Sequence, residues 1–385
     1  MGCNDIPEFY DVAIIGAGPA GCACALALKD AGLKVLLIDK ARFPRDKVCG
    51  DAIPGRAIKV LKSISSEFGA AFANFPHHYK TLQTKIFLNG QELCFTWVQE
   101  AYTCTRLEFD NFLINLVKQH SETTILTETE IEEIEQDASF ISFKANNKCH
   151  SFRTKLLVGA DGAHSIVAKQ IKPNIIDRKH YGASIRAYYK NVADMNANTT
   201  EIYYNKEFLP SYLWVFPFPG NIANVGFGMV SSELVKRKIN LKKTFLHLLK
   251  NTPELSTKFK DAGLRGNIDG FGLPFGSNFS KISGNRILLT GDAAALIDPM
   301  NGDGIGNAML SGKLAALQII KCINENDFTD RCLKQYDKMV LDEIGKELNK
   351  HYRMQKILTQ KPILLSLIFW LCKFEPIKRK IQQLL

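Results

Sequence analysis

Several common signatures are missing from this 385-residue chain. Its ten cysteines include no C-x-x-C pair and no Cys/His group at metal-ligand spacing, which excludes a disulfide framework and a zinc site. No metal ligand set is expected, and the eight histidines form no triad. No apolar run reaches the about 20 residues needed to cross a bilayer. The start, "MGCNDIPEFYDVAIIG", has no basic region followed by a cleavable apolar segment, and Ile6 stands where a myristoylation signal after Gly2 would need Ser or Thr. Internal repeats and low-complexity tracts are lacking, as are zinc fingers and basic-aromatic repeats. The net charge of +10 is therefore not read as nucleic-acid binding. A reducing, cytoplasmic setting is expected.

What is present begins with "DVAIIGAGPAGCACALALKDAGLKVLLID": an apolar strand, a glycine turn, an Ala/Leu-rich helix and a second strand ending in Asp39. Gly16, Gly18 and Gly21, with Ala20 between the last two, form G-x-G-x-x-G. Such glycines let the backbone approach a pyrophosphate, the helix start supplies partial positive charge, and Asp39 suits ribose hydroxyls. This fits FAD or NAD equally. Residues 106–120 read as a helix, 125–158 as short strands leading to "LLVGADG", and 181–230 as an antiparallel sheet rich in aromatic and β-branched residues. "RILLTG" at 286–291 returns to a buried strand, and a long helix is expected from about 303.

Three ordered motifs, the first G-x-G-x-x-G, "LLVGADGAHS" and "GDAAALIDPMNGDGIG", resemble the FAD-dependent group that includes aromatic hydroxylases, halogenases and geranylgeranyl reductases. Within it, "FPRDKVCG" (43–50) and "YLWVFPFPGNIANVGFG" (212–228) look most like geranylgeranyl reductases. The resemblance implies an α/β fold: a discontinuous Rossmann-like FAD-binding lobe (1–75, 100–175 and 276–325), an inserted antiparallel sheet lobe for substrate (76–99 and 176–275) and a C-terminal helical segment (326–385). It implies FAD contacts at Val48, Gly50, Arg106, Asp292, Gly304 and Ile305, with the flavin ring against the alternating glycines before the long helix. Cys49 would stand beside the flavin as a catalytic thiol or be merely buried. Arg106 would approach the cofactor or pair at the surface with Asp110.

Tyr212, Trp214 and Phe216 alternate along one strand and so share a face. That face is either sheet core or an aromatic wall binding an apolar chain, with Trp214 stabilising positive charge on a substrate carbon. The implied activity is FAD-dependent reduction of a C=C bond in an isoprenoid or other lipid. Cys49, Asp51 and a bound water are the candidate acids. Because only one dinucleotide fingerprint occurs, NAD(P)H or a protein donor would bind transiently. Two alternatives remain. A monooxygenase or halogenase is suggested by the carboxylate after Gly50, with Lys80 or Lys85 as guesses for the lysine a halogenase needs. A prenyl-chain carrier that has lost its cofactor is opposed by the intact glycines, Asp39 and Asp292. Finally, "KPILLSLIFWLCKFEPIKRKIQQLL" at 361–385 suits either a helix packed on the body or peripheral contact with an anionic membrane face.

Overall fold

The computed structural model describes residues 8–145, 150–172, 176–278 and 280–384. The segment on which the reading of Gly2 and Ile6 rests lies outside them. Glu8–Ile15 is the centre of the first sheet, paired in parallel with Val35–Ile38 on one side and His150–Gly159 on the other. Ile287–Leu289 adds in parallel beyond His150–Gly159, and Thr124–Leu126 beyond Val35–Ile38. Val12 to Ile15 and Val35 to Ile38 are buried residue after residue. Such uninterrupted apolar runs suit parallel strands covered on both faces. The cover includes the helices Pro19–Ala27, Arg106–His120 and Ile305–Glu325.

The second sheet runs, edge to edge, through Gly263–Pro274, Tyr181–Lys190, Ile222–Val230, Tyr212–Phe218, Thr199–Tyr204, Tyr79–Leu88, Gln91–Thr103 and Ala52–Ile53. Among the described residues its pairings are antiparallel with one exception: Thr199–Tyr204 lies parallel to Tyr79–Leu88. The exception arises because the sheet is made from pieces that leave and re-enter the first lobe, so a hairpin cannot set the relative direction of these two strands. One face is closed by the helices Leu241–Asn251 and Pro253–Lys258, whose Phe245, Leu248 and Leu255 pack on Leu213, Val215, Val225 and Phe227. The alternate residues, Tyr212, Trp214 and Phe216, line the cavity between the lobes.

The chain ends in helices at Asp330–Val340, Lys346–Gln360, Ile363–Leu371 and Glu375–Leu384. Leu365, Phe369 and Cys372 are buried in a cluster with Leu88, Leu93 and Phe95 of the second sheet. Among the described residues no helix is long and apolar enough to cross a membrane.

Candidate active site

Two adjoining cavities of about 330 and 370 Å³ run between the sheets and share Pro19, Lys47, Arg106, Phe271, Asp292 and Ala308 in their walls. The smaller is lined by Gly16, Gly18, Ala20 and Asp39 of the first βαβ unit, and by Asp161 and Gly162 of the second motif. Gly16 holds φ +105°, and a Cβ there would stand 2.3 Å from the carbonyl oxygen of Ala160. The turn therefore needs glycine because the two motifs touch through their backbones. Gly18 precedes the helix Pro19–Ala27, and Gly21 lies in its first turn. Asp39 is buried and accepts the backbone N–H of Ala17 at 2.8 Å and of Ala41 at 2.9 Å, which fixes the carboxylate at the end of its strand.

Asp161 accepts the N–H of Ile166 at 2.8 Å through Oδ2, while its buried Oδ1 has no hydrogen-bond partner among the described residues. Burial raises its pKa. A buried polar atom left unpaired beside a cleft is what a polar ligand group would satisfy. Asp292 meets the Lys47 ammonium at 2.9 Å. Together, the bare glycine turn, the ribose-type carboxylate and this orphaned oxygen fit a bound FAD.

Arg106 is a buried residue, not the surface arginine of the alternative reading. Its Nε and Nη2 each donate to Asp110 at 2.7 Å. Both partners are withdrawn from water at the start of the helix, and Arg45 adds a second cation 2.9 Å from the same carboxylate. Burial works against the charge on Arg106, but Asp110 more than offsets it and holds the guanidinium protonated. From there it lines both cavities.

The larger cavity is lined by Val48, Cys49 and Gly50 on one side and by Gly302, Gly304 and Ile305 on another. The long helix begins at Ile305, two residues later than expected, because Gly304 is its N-cap and Asp303 turns its carboxylate to accept the Ile305 N–H at 3.2 Å. Cys49 is half-buried, and burial raises its thiol pKa although Arg106 opposes this, so the proton is retained.

Tyr212, Trp214 and Phe216 make a continuous wall, with ring centroids 6.1 and 6.4 Å apart. The register sets Gly226 opposite Trp214 and Gly228 opposite Tyr212. A Cβ at 226 would come within 2.0 Å of the Trp214 ring, so the indole lies over bare backbone. The spacing of Y-x-W-x-F-P and G-x-G thus leaves room for an indole over its neighbouring strand.

Other expected groups are placed elsewhere. Asp51 is fully buried at φ +64° and does not line the cavity. Its oxygens accept the Arg106 N–H at 3.2 Å, the Tyr188 hydroxyl and the Asn224 amide, so it is an anchor and not an acid facing substrate. Burial pushes its pKa up to about 6 against the lowering effect of Tyr188 and Asn224. Lys80 and Lys85 pair with Glu100 and Glu92, and neither borders the cavity.

Sequence reasoning did not single out Asn224, Tyr188, Asp298 or His351. Asp298 holds the glycine loop by accepting the Met300 N–H at 2.7 Å. Its other oxygen binds His351, and Glu347 completes a cluster of ligand atoms within 4.8 Å of one another. Glu347 is itself paired with Arg56. For Asn224 and Asp298 the available signal was the "NVGFG" and "IDPMNGDG" context, which carries no pairing information, and neither stretch contains Tyr188 or His351.

A glycine-lined dinucleotide cleft opening onto an aromatic-walled apolar cavity defines a flavin-dependent oxidoreductase. Residues 9–214 match the family model described as FAD binding domain, and residues 182–260 match that of the geranylgeranyl reductase catalytic domain. A digeranylgeranylglycerophospholipid reductase from Methanosarcina mazei is 30% identical over 354 residues, covering 88% of this chain and 82% of the relative. A geranylgeranyl bacteriochlorophyll reductase-like structure from Thermoplasma acidophilum superposes with a TM-score of 0.84 at 21% identity, covering 99% of this chain and 100% of that one. A flavin-dependent brominase shares the fold, with a TM-score of 0.77 at 20% identity over 98% of this chain and 93% of its own. The chain belongs to the geranylgeranyl reductase family of FAD-binding reductases.

Proposed function

We propose that the protein reduces C=C bonds in a polyprenyl chain borne by a membrane lipid; its Methanosarcina relative is named a digeranylgeranylglycerophospholipid reductase. The observation that carries this reading is the wall of Tyr212, Trp214 and Phe216 along a largely apolar cavity that reaches from the glycine loop to Trp97 and Ile202. Gly16, Gly18, Ala20, Gly21, Asp39, Arg106 and Asp292 would hold the dinucleotide, and Val48, Gly50, Gly304 and Ile305 the ring end of FAD. Reduced FAD supplies hydride when bound.

An isolated alkene accepts hydride poorly, so a proton must reach one carbon as the hydride reaches the other. Cys49, whose thiol stays protonated in the cavity wall, is the proposed proton source. Trp214 and Phe216 offer π faces to the positive charge that develops at the more substituted carbon, and they exclude water from it. NAD(P)H or a protein donor would visit transiently to restore the electrons.

The same reading includes docking on an anionic bilayer through the C-terminal helices. Ile363 is 72% exposed and Trp370 53%, with Lys361, Lys373, Arg379 and Lys380 flanking their helix in the sequence, while Leu365 and Phe369 of that helix are packed on the sheet. Exposed apolar side chains flanked by cations suit an interfacial helix.

Anaerobic mixing of dithionite-reduced holoenzyme with a polyprenyl lipid is the test. Flavin absorbance should return, and the lipid should gain two hydrogens per turnover. A flavin that stays reduced until oxygen is admitted, with oxygen or halogen then found in the product, would overturn the assignment.

A further inference from the structure

One buried side chain joins the aromatic wall to the Cys49 segment without bordering the cavity. Asn224, on the strand Ile222–Val230, is fully buried and lies opposite Phe216 in the sheet register. Its Oδ1 accepts the Trp214 indole N–H at 2.9 Å, and its Nδ2 donates to the Cys49 carbonyl and to Asp51 Oδ2, each at 2.8 Å. The amide can point only one way. An indole N–H is solely a donor, and a carbonyl and a carboxylate are solely acceptors, so a flipped amide would lose all three bonds.

Asp51 is fixed in turn by the Arg106 N–H and the Tyr188 hydroxyl. Gly50 lies between these anchors and against the wall: a Cβ there would be 3.3 Å from Phe216 and 3.4 Å from the Trp214 nitrogen. Little slack exists between the loop and the wall, and a single amide spans the gap.

The geometry points to Asn224 as a positioning residue for the reductive step: it locks the Trp214 indole and ties it to the Cys49–Asp51 backbone, so that wall and proton source keep a fixed spacing. This rests on the reading that the alkene lies between Trp214 and Cys49. Hydrogen bonds made by a buried amide to groups on two different segments fix distances in a way that apolar packing does not. A misplacement of about 1 Å at a reacting centre costs on the order of 100-fold in rate.

Asn224→Leu, with the same branched heavy-atom skeleton, removes all three bonds. In the FAD-loaded protein the Trp214 indole ¹⁵N–H resonance, identified by its loss in Trp214→Phe, should move upfield and exchange faster with water. Reoxidation of reduced enzyme by a polyprenyl lipid should slow about 10- to 100-fold, with lipid half-saturation and FAD affinity changed less than about threefold. Should Asn224→Leu fail to fold, Asn224→Asp serves. It keeps the shape and the acceptor toward Trp214 but loses the donor toward Asp51 until a proton is shared.

The introduced carboxyl would face Asp51 and Cys49 from the loop and Tyr188 and Arg186 from the neighbouring strand. The variant should therefore regain rate as pH is lowered, where the wild type does not. An unchanged indole resonance, a rate within twofold of wild type, or the absence of acid recovery in Asn224→Asp overturns the proposal. Wild-type enzyme that is unreactive toward polyprenyl lipids would strike down the reductase reading beneath it, and this is seen before any variant is compared.

Discussion

The His351 Nδ1 lies 2.5 Å from the Asp298 carboxylate, which ties the helix Lys346–Gln360 to the loop that leads into Gly302 and Gly304. Gln355 of the same helix donates to the Pro299 carbonyl, so two successive turns grip this loop. Asp298 raises the His351 pKa above its ordinary value, against a smaller opposing effect of burial, with Glu347 adding and Lys350 subtracting. A raised folded value means that the stabilisation is complete below the ordinary histidine range and is lost as pH rises through the folded pKa. His351→Ala should cost about 1–3 kcal/mol at pH 6, and the gap from wild type should narrow by pH 9 in urea melts of the holoenzyme. A gap that widens with pH would contradict the pair.

Gly16→Val should yield protein that does not retain FAD. The structural cause is collision with the Ala160 carbonyl, together with a backbone conformation closed to β-branched residues. Flavin absorbance per protein after gel filtration is the measurement, and yellow protein at wild-type stoichiometry would count against the cleft.

Burial, reinforced by Asp298, raises Asp303 to about 6. For a carboxyl with a raised folded value, the contribution is complete below its unfolded value and is lost as pH climbs through 6. Asp303→Asn should therefore match wild type near pH 4 and exceed it at pH 8 by up to about 3 kcal/mol, with Tm following the same trend. The amide oxygen can still accept the Ile305 N–H, so the loop should survive.

The paired change Ile363→Glu and Trp370→Glu should abolish sedimentation with phosphatidylglycerol vesicles and leave FAD content unchanged, since both side chains are exposed. Wild-type binding should weaken with salt, because the screening length is about 8 Å at physiological ionic strength. Salt-independent binding, or binding unaffected by the two changes, would remove the tail from the account.

The parts legible in the sequence were those set by local pattern. The G-x-G-x-x-G turn, the helix Arg106–His120 and the alternation of Tyr212, Trp214 and Phe216 each follow from periodicity or from a backbone requirement within a few residues. The unread parts depend on partners distant in the chain. Asp51 looked like an acid near substrate because its chain neighbours line the cavity, but its positive φ turns the side chain into the protein toward Tyr188, 137 residues away. Nothing local distinguishes a buried Arg106 from a surface one. The partner in the ion pair is the same, and only the tertiary cover differs. His351 lies on a helix whose pattern is ordinary, and its meaning comes from the loop it meets.

The parallel pairing of Thr199–Tyr204 with Tyr79–Leu88 has a consequence for how the chain is made. Thr84 and Thr200 share a hydrogen bond across 116 residues, and the central-sheet strand His150–Gly159 is synthesised between them. Until residue 204 has emerged, the edge of Tyr79–Leu88 has no partner on that side, and an unpaired edge is a template for joining another chain. Neither sheet can therefore be expressed as an excised fragment. A nascent chain stopped anywhere between 104 and 198 holds part of each sheet and completes neither, so the two lobes must reach the native state together, late in synthesis.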